Sequence, residues 1–306
     1  MTTQIELPAG VTFLERGWLS SNNVLLHDNE QAVLVDTGYW THAEQTEALI
    51  QSVLGKKSLD VIINTHLHSD HCGGNAHLQT AYPDLEIRIP PGHFAYVEEW
   101  NAEALTYTPT GQHCPQFRAN SSIQSGDIFH VAGRQWRAYS APGHDPHSIV
   151  LFCHEEGVLI SADALWERGF GVVFPEIEGV SAFEEVAATL DLIEKLAPRL
   201  ILPGHGAPFT DLSGALIYAR SRLEGFSKNP MKHALYAAKV LLKFKLLELQ
   251  SVDMQIFCNW AKTCSYFHQL HQYFDSTTFD DWAIEMCDSL VKSGAAIQIE
   301  DKLINR

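Results

Sequence analysis

The sequence predicts an α/β protein whose C-terminal part is smaller and mainly helical. Two observations carry the prediction. Over residues 1–212, short apolar runs rich in β-branched residues alternate with turn residues and helical stretches. From about residue 213 the texture changes to long segments with helical apolar spacing. Charge divides at the same place. Residues 1–212 hold 10 Lys+Arg and 27 Asp+Glu, a net of −17, whereas residues 213–306 hold 11 and 10, a net of +1. Two domains are therefore expected, 1–212 and 213–306, the first of them catalytic.

Taken in order, 22–26 and 32–36 read as strands, the second ending at the turn in AVLVDTG. Residues 41–54 have helical spacing at Ala48, Leu49 and Val53, with Thr41 in the N-cap position. The run DVIINT at 60–65 is a buried strand, and 86–89 and 128–140 are further strands, the latter turning near Gly133. Segments 148–153 and 157–161 form a hairpin around His154, Glu155 and Glu156. An amphipathic helix at 181–196, stopped by Pro198, precedes a strand at 200–202. Beyond 213, helices at 230–249, 251–274 and 279–293 lead to a strand-like end at 296–304, the outline of a small helical or winged-helix domain. The segments 101–120 and 165–180 are longer than ordinary loops, and loops of that length tend to be functional.

Composition is that of a globular chain, with 45% hydrophobic and 19% charged residues over 306 positions, enough to build a core without staples. The six cysteines (72, 114, 153, 258, 264 and 287) have no paired spacing and read as reduced thiols. The start, MTTQIELPAG, has neither a basic nor an apolar signal region, and no apolar run approaches the roughly 18 residues of a membrane span. The expectation is a cytoplasmic protein with no membrane partner. A polyanion would be repelled by the acidic first part, which argues against nucleic acid and for a small-molecule substrate.

The chemistry concentrates in His66-Leu67-His68-Ser69-Asp70-His71, delivered by the 60–65 strand and followed by Gly73 and Gly74. Imidazoles and a carboxylate in this mixture suit zinc and its neighbours. Four donors within six residues crowd a single ion, so two adjacent ions are the simpler geometry. Each then needs donors from elsewhere. Three strand ends offer them: His144 in APGHD, Asp163 in ISADAL and His205 in LPGHG.

This block resembles the HxHxDH signature of the metallo-β-lactamase superfamily, and Asp36, His144, Asp163 and His205 follow the family's order over roughly residues 11–210. The resemblance implies an αββα sandwich. It implies one metal on His66, His68 and His144, a second on Asp70, His71 and His205, and Asp163 bridging them. Asp36 is similar to the family's buried structural aspartate. The implied cofactors are two divalent ions, Zn²⁺ foremost, with Fe or Mn as alternatives. Such a pair, about 3.5–4 Å apart, lowers the pKa of a shared water and polarises the substrate; Asp70 is the candidate to orient that water and accept its proton.

One departure from the family pattern is Asp145-Pro146-His147-Ser148, where many relatives have a Thr-Pro-Gly-Ser-like stretch; His147 could there reach the substrate or compete as a ligand. Cys72 could serve as a soft ligand or as a small packed residue. Trp166, Phe170 and Phe174 follow Asp163 closely and are candidates to line an apolar substrate pocket, as are Tyr107, His113 and Arg118 in the earlier loop.

Three activities share such a site. A hydrolase of a small thioester or ester, similar to the glyoxalase II group, is favoured by the acidic catalytic part and the aromatic residues near Asp163, although no basic cluster matches that group's glutathione-binding residues. An endoribonuclease-type phosphodiesterase is the second reading, because the C-terminal end resembles the helix and wing of that branch. The helix at 279–293, however, carries Asp280, Asp281, Glu285 and Asp288 against Lys292, a poor groove reader. That domain is expected instead to cap the active site or to build a homodimer interface. An iron-dependent persulfide dioxygenase is the third.

Overall fold

The computed structural model describes residues 5–274 and 278–306. Met1 to Gln4, part of the stretch read for a signal, lie outside the described residues. Two sheets form the body. Strands β1 (Val11–Leu14), β2 (Asn23–His27), β3 (Ala32–Val35), β4 (Val61–Ile63), β5 (Glu86–Ile89) and β6 (Ser121–Ser122) lie side by side in chain order. Pairing is antiparallel up to β3 and parallel beyond it. Strands β7 (Ile128–Val131), β8 (Arg134–Ser140), β9 (Ile149–Cys153), β10 (Val158–Ala162) and β11 (Leu200–Pro203) form the second sheet, ordered β11-β10-β9-β8-β7. There only β10 and β11 pair in parallel.

The strands read as continuous apolar runs because both faces of each sheet are covered. Side chains alternate between two cores with the period of two that a strand imposes. Val24, Leu26, Val33, Val35, Val61 and Ile63 meet Ile149, Leu151, Val158, Ile160, Leu200 and Leu202 between the sheets, around the fully buried Trp136. Their neighbours Leu25, Leu34 and Ile62 face outward, onto the Ala43–Leu54 and Asn75–Ala81 helices through Ile50, Leu54 and Leu78. On the other side Val150, Phe152, Leu159 and Ile201 meet the Phe183–Leu196 helix through Leu190 and Ile193. Helix, sheet, sheet and helix layers thus make the expected sandwich.

A further core lies in the C-terminal part, with Leu242, Leu246, Phe257, Phe267, Trp282, Met286 and Leu290 all buried, and Val172 and Ile177 of the first part join it. Strands β12 (Ser251–Asp253), β13 (Ala296–Ile299) and β14 (Lys302–Asn305) form an antiparallel sheet ordered β12-β14-β13. The apolar stripe Trp282, Met286, Leu290 faces this core, which leaves the acids of the Phe279–Lys292 helix toward solvent.

Several element readings need correction. Thr41 is not an N-cap: it lies inside a short 3₁₀ turn, Trp40–His42, that precedes the helix beginning at Ala43. The single helix read over 251–274 is strand β12 followed by two helices, Met254–Ala261 and Ser265–His271. Asp253 stops the strand and starts the first helix by accepting the Gln255 and Ile256 amides. The Leu212–Lys228 helix escaped the sequence reading; it buries Ala215, Leu216, Ala219 and Phe226 in the outer core of the second sheet. The long segments 101–120 and 165–180 contain short helices, Tyr107–Thr110 and Phe174–Ile177.

Candidate metal centre

Seven side chains converge at one end of the sandwich, each delivered by a strand end. After β4 the chain runs into a single helical turn, Ser69–Cys72, which points His66, His68, Asp70 and His71 the same way. A buried amide network fixes this turn. Asn75 donates to Asn64 Oδ1 at 2.7 Å, Thr37 donates to Asn75 Oδ1 at 2.9 Å, and Asn64 donates to the His71 carbonyl at 3.2 Å. Gly74 is required because a Cβ there would stand 2.6 Å from the Thr37 carbonyl oxygen. His205 follows β11 in a loop tied down by Asn22, which donates to the Pro203 and Gly206 carbonyls at 3.0 and 2.8 Å. Asp163 follows a register irregularity in β10, where Ala162 is held at φ 46°. A non-glycine residue there costs roughly 1–2 kcal/mol, strain of the kind that collects at functional sites.

The donor atoms form three overlapping triads, one of them His66, His71 and Asp163. His66, His68 and His144 place ring nitrogens within 4.8 Å of one another, with 2.8 Å between His68 Nδ1 and His144 Nε2 and 3.3 Å between the His66 and His144 Nε2 atoms. Asp70, His71 and His205 form another, with His205 Nε2 3.1 Å from Asp70 Oδ2. Asp163 lies between them. Its Oδ1 is 3.5 Å from His71 Nε2, and its Oδ2 is 3.5 Å from His144 Nε2 and 3.8 Å from His205 Nε2.

Outer partners set which nitrogen faces inward. His71 Nδ1 donates to Asp36 Oδ2 at 2.7 Å, leaving Nε2 toward the carboxylates. Asp36 also accepts from the Thr65 amide and hydroxyl, both at 2.8 Å, and is itself held at φ 58°. His144 Nδ1 donates to the Val172 carbonyl, which turns its Nε2 inward. Such carboxylate or carbonyl backing is the usual support of a metal-bound imidazole.

Electrostatics point the same way. Burial, reinforced by the neighbouring imidazoles, holds His66 and His68 well below the ordinary histidine value, so both are neutral donors. Burial alone would lower His71 as well, but the carboxylates of Asp36, Asp163 and Asp70 outweigh it and raise it. Burial would raise the Asp163 carboxyl, and the imidazoles of His205, His71 and His144 reverse this and lower it. The donor set fits a divalent cation by one further observation: His71 Nε2 is buried without any hydrogen-bond partner. An orphaned buried nitrogen costs about 1–3 kcal/mol, and a cation beside Asp70 and Asp163, the two carboxylates that Nε2 faces, would satisfy it.

His68, Asp70, His144, Asp163 and His205 floor a cavity of about 760 Å³, with His66 and His71 buried beneath. Trp18 stacks on the His205 ring with 5.1 Å between centroids, and Trp166 meets His205 edge-on at 5.4 Å. Trp166 Nε1 also donates to Asp163 Oδ1 at 3.2 Å. On the side of the other triad, Phe174 abuts His68 and His144, at 4.7 and 5.6 Å. The Pro230–Leu249 helix closes the cavity with Tyr236, Val240, Phe244 and Leu247.

Trp166 and Phe174 therefore line the cavity. Phe170 does not: it is 1% exposed and packs against Phe226 in the outer core, because the isolated bridge between Trp166 and Gly169 turns the chain inward just before it. His147 is not among the lining residues either; its ring packs on His93 at 4.6 Å and its amide is tied to Asp145. Of the earlier loop, Thr106, Thr110 and Gln112 reach the cavity, while Tyr107 is buried against Cys72. All six cysteines are free and buried; the Cys72 thiol meets the Tyr107 hydroxyl at 3.1 Å and belongs to none of the donor groups. Sequence reading missed Trp18 and the wall of the Pro230–Leu249 helix. For Trp18 the only signal was a large aromatic residue beside Gly17 and Ser20 in a polar turn.

A strand-borne site of this composition at the edge of an αββα sandwich defines the class, and the comparisons agree. The metallo-beta-lactamase superfamily profile matches residues 16–205, and the chain belongs to that superfamily. Curated relatives include an atrochrysone carboxyl ACP thioesterase of Aspergillus fumigatus, 27% identical over 190 residues covering 61% of this chain and 51% of the relative. The lactamase-like protein ptaB of Pestalotiopsis fici is 25% identical over 215 residues, 70% of this chain and 59% of the relative. The chain spans about half the length of the curated relatives it matches. Among solved structures, a metallo-beta-lactamase family protein of Thermus thermophilus aligns over 97% of this chain and 99% of its own, with a TM-score of 0.55 at 21% identity. The subclass B3 enzyme BJP-1 of Bradyrhizobium japonicum gives 0.57 at 19% identity over 75% of this chain and 94% of its own. At these identities the structures speak to fold alone. No helix of the described residues is long and apolar enough to cross a membrane.

Proposed function

We propose that the chain is a dinuclear metal-dependent hydrolase that cleaves a small thioester or ester bearing an apolar acyl group. The observation that carries the reading is the convergence of two donor triads on either side of Asp163, at the floor of a cavity with apolar walls. His66, His68 and His144 would hold one ion, Asp70, His71 and His205 the other, and Asp163 both. The imidazole and carboxylate mixture suits zinc best, with iron or manganese the alternatives. Bound there, two divalent ions would lower the pKa of a water and polarise the scissile carbonyl.

The chain's own residues do the rest. Asp70 takes up the proton of the attacking water at its carboxylate. Trp166 holds Asp163 in place through the indole N–H. Phe174, Val240 and Phe244 receive the acyl group and exclude bulk water from the carbonyl. Thioesterase names among the curated relatives support a thioester over other substrates. The acidic outward face of the Phe279–Lys292 helix speaks against RNA. The element order of residues 213–306 and the sheet order β12-β14-β13 support a winged-helix-like unit that serves as a wall of the site. Six free cysteines support cytoplasmic residence.

The test is thiol release from a panel of acyl-glutathione and acyl-CoA thioesters by zinc-loaded protein and by Asp70→Ala. Turnover should fall by at least about 100-fold in the variant, the usual scale for a lost proton acceptor. No release from any thioester, with both metals confirmed bound, refutes the substrate assignment. RNA cleavage and persulfide oxidation with iron are then the competing assays.

A further inference from the structure

We propose that Arg168, Arg222, Lys232 and Lys239 form a seat for a phosphate carried on the thiol side of the substrate. The inference rests on the thioester reading and specifies its carrier: a thiol arm that ends in a phosphate. All four cations line the same cavity as the metal centre. They are linked by contacts. The Arg222 guanidinium lies over the Tyr236 ring at 4.0 Å and donates to the Arg168 carbonyl at 3.4 Å. Tyr236 lies four residues after Lys232 and three before Lys239, so the three share one face of the Pro230–Leu249 helix.

The gathering of these four cations on one cavity is what asks for a ligand, because exposed lysines such as Lys56 and Lys195 also stand outside any ion pair among the described residues. Arg88, Arg134, Arg220, Lys228, Lys245 and Lys262 each pair with a carboxylate. Among the described residues, no ion pair involves Arg168, Arg222, Lys232 or Lys239. In a chain of net charge −16, these four cations set positive charge in a cavity that the Asp70 and Asp163 carboxylates also line. Lys243 lines the same cavity but is excluded from the seat, since it holds the Ala295 and Arg306 carbonyls and the Asn305 side chain.

The geometry also gives the direction in which a substrate lies. Phe174 abuts the His68 and His144 rings, whereas Trp18 and Trp166 abut His205. The segment carrying Trp166 continues directly to Arg168, against Arg222. An acyl group on the Phe174 side therefore sends its thiol arm over Trp166 toward the cations. A single carboxylate would leave most of that positive charge unmatched; a phosphate dianion matches it and accepts bonds from guanidinium and ammonium groups together.

Calorimetric binding of uncleavable thioethers to the zinc-loaded protein tests the seat separately from catalysis. The probes are S-hexyl-4′-phosphopantetheine, S-hexylpantetheine, S-hexyl-coenzyme A and S-hexylglutathione. The phosphorylated arm should bind roughly tenfold more tightly than its dephosphorylated form, the scale of charge-assisted phosphate contacts, and the gap should narrow at 0.5 M salt. Lys232→Gln/Lys239→Gln should lose that gap, with Lys56→Gln/Lys195→Gln, at two exposed positions outside the cavity, as a charge-matched control that keeps it. A further gain with the coenzyme A probe assigns a nucleotide carrier, and equal affinity assigns a phosphopantetheine arm without one. Equal affinity for the phosphorylated and dephosphorylated arms overturns the proposal, as does tighter binding of the glutathione probe. Phosphate preference without hydrolysis of the matching thioester would sink the hydrolase reading and leave the seat standing.

Discussion

Replacing Asp36 with Asn changes the metal centre without touching a candidate ligand, and the structure fixes what it should do. The Asp36 carboxylate accepts three buried hydrogen bonds, from the Thr65 amide, the Thr65 hydroxyl and His71 Nδ1, at 2.8, 2.8 and 2.7 Å. Asparagine tolerates the positive φ of 58° as well as aspartate does, so the backbone has no reason to move. Its amide oxygen can still serve the Thr65 amide. Its NH₂ then takes the place of Oδ2, facing the His71 N–H donor to donor. Two bonds to a charged acceptor, about 1.5–3 kcal/mol each, are lost or rearranged. The economical escape is for His71 to shift its proton to Nε2, the atom that faces Asp70 and Asp163. That nitrogen then cannot coordinate. Loss of such backing typically costs 10–100-fold in metal affinity, or about 1.4–2.7 kcal/mol. Zinc titration against a competing chelator should show the weaker site falling by this factor, and metal-free protein should unfold at lower temperature. Wild-type affinity for two equivalents of zinc in Asp36→Asn would refute the tautomer argument.

Three further outcomes are expected. Gly171→Ala places a Cβ 2.3 Å from His144 Nδ1, so bound zinc measured by elemental analysis should fall from two towards one per chain while circular dichroism stays unchanged; two retained ions would contradict it. Phe267→Ala empties a fully buried position beside Trp260 and Trp282 and should destabilise the C-terminal core by about 3–5 kcal/mol, read by denaturant unfolding. The carboxylates around His71 raise its pKa well above 6.5 despite burial. In metal-free protein its proton therefore contributes stability that is complete below the unfolded value and lost as pH rises through the folded one. Melting temperature should drop across that window, and zinc uptake there should release protons, measured by calorimetry in buffers of different ionisation enthalpy.

The sequence by itself determined the layers and pointed to the side chains that converge at one end of them. Strand positions were legible because β2, β3, β4, β9, β10 and β11 are buried along nearly their whole length, which writes them as near-continuous apolar runs. The seven candidate donors were legible because each follows a strand, beside a small or turn-forming residue, so local pattern and chemistry coincide. The tertiary structure decided everything that depends on which distant surfaces meet. Phe170 and Phe174 are four residues apart and equally apolar, yet one fills the outer core and the other the cavity, because the turn at Gly169 sends them to different faces. Lys232 and Lys239 carry no local pattern that sets them apart on their helix, and only the packing of that helix brings them to the cavity that Arg168 also lines. The break of 251–274 into a strand and two helices follows from pairing with β14, 49 or more positions away, an interaction that no local period encodes.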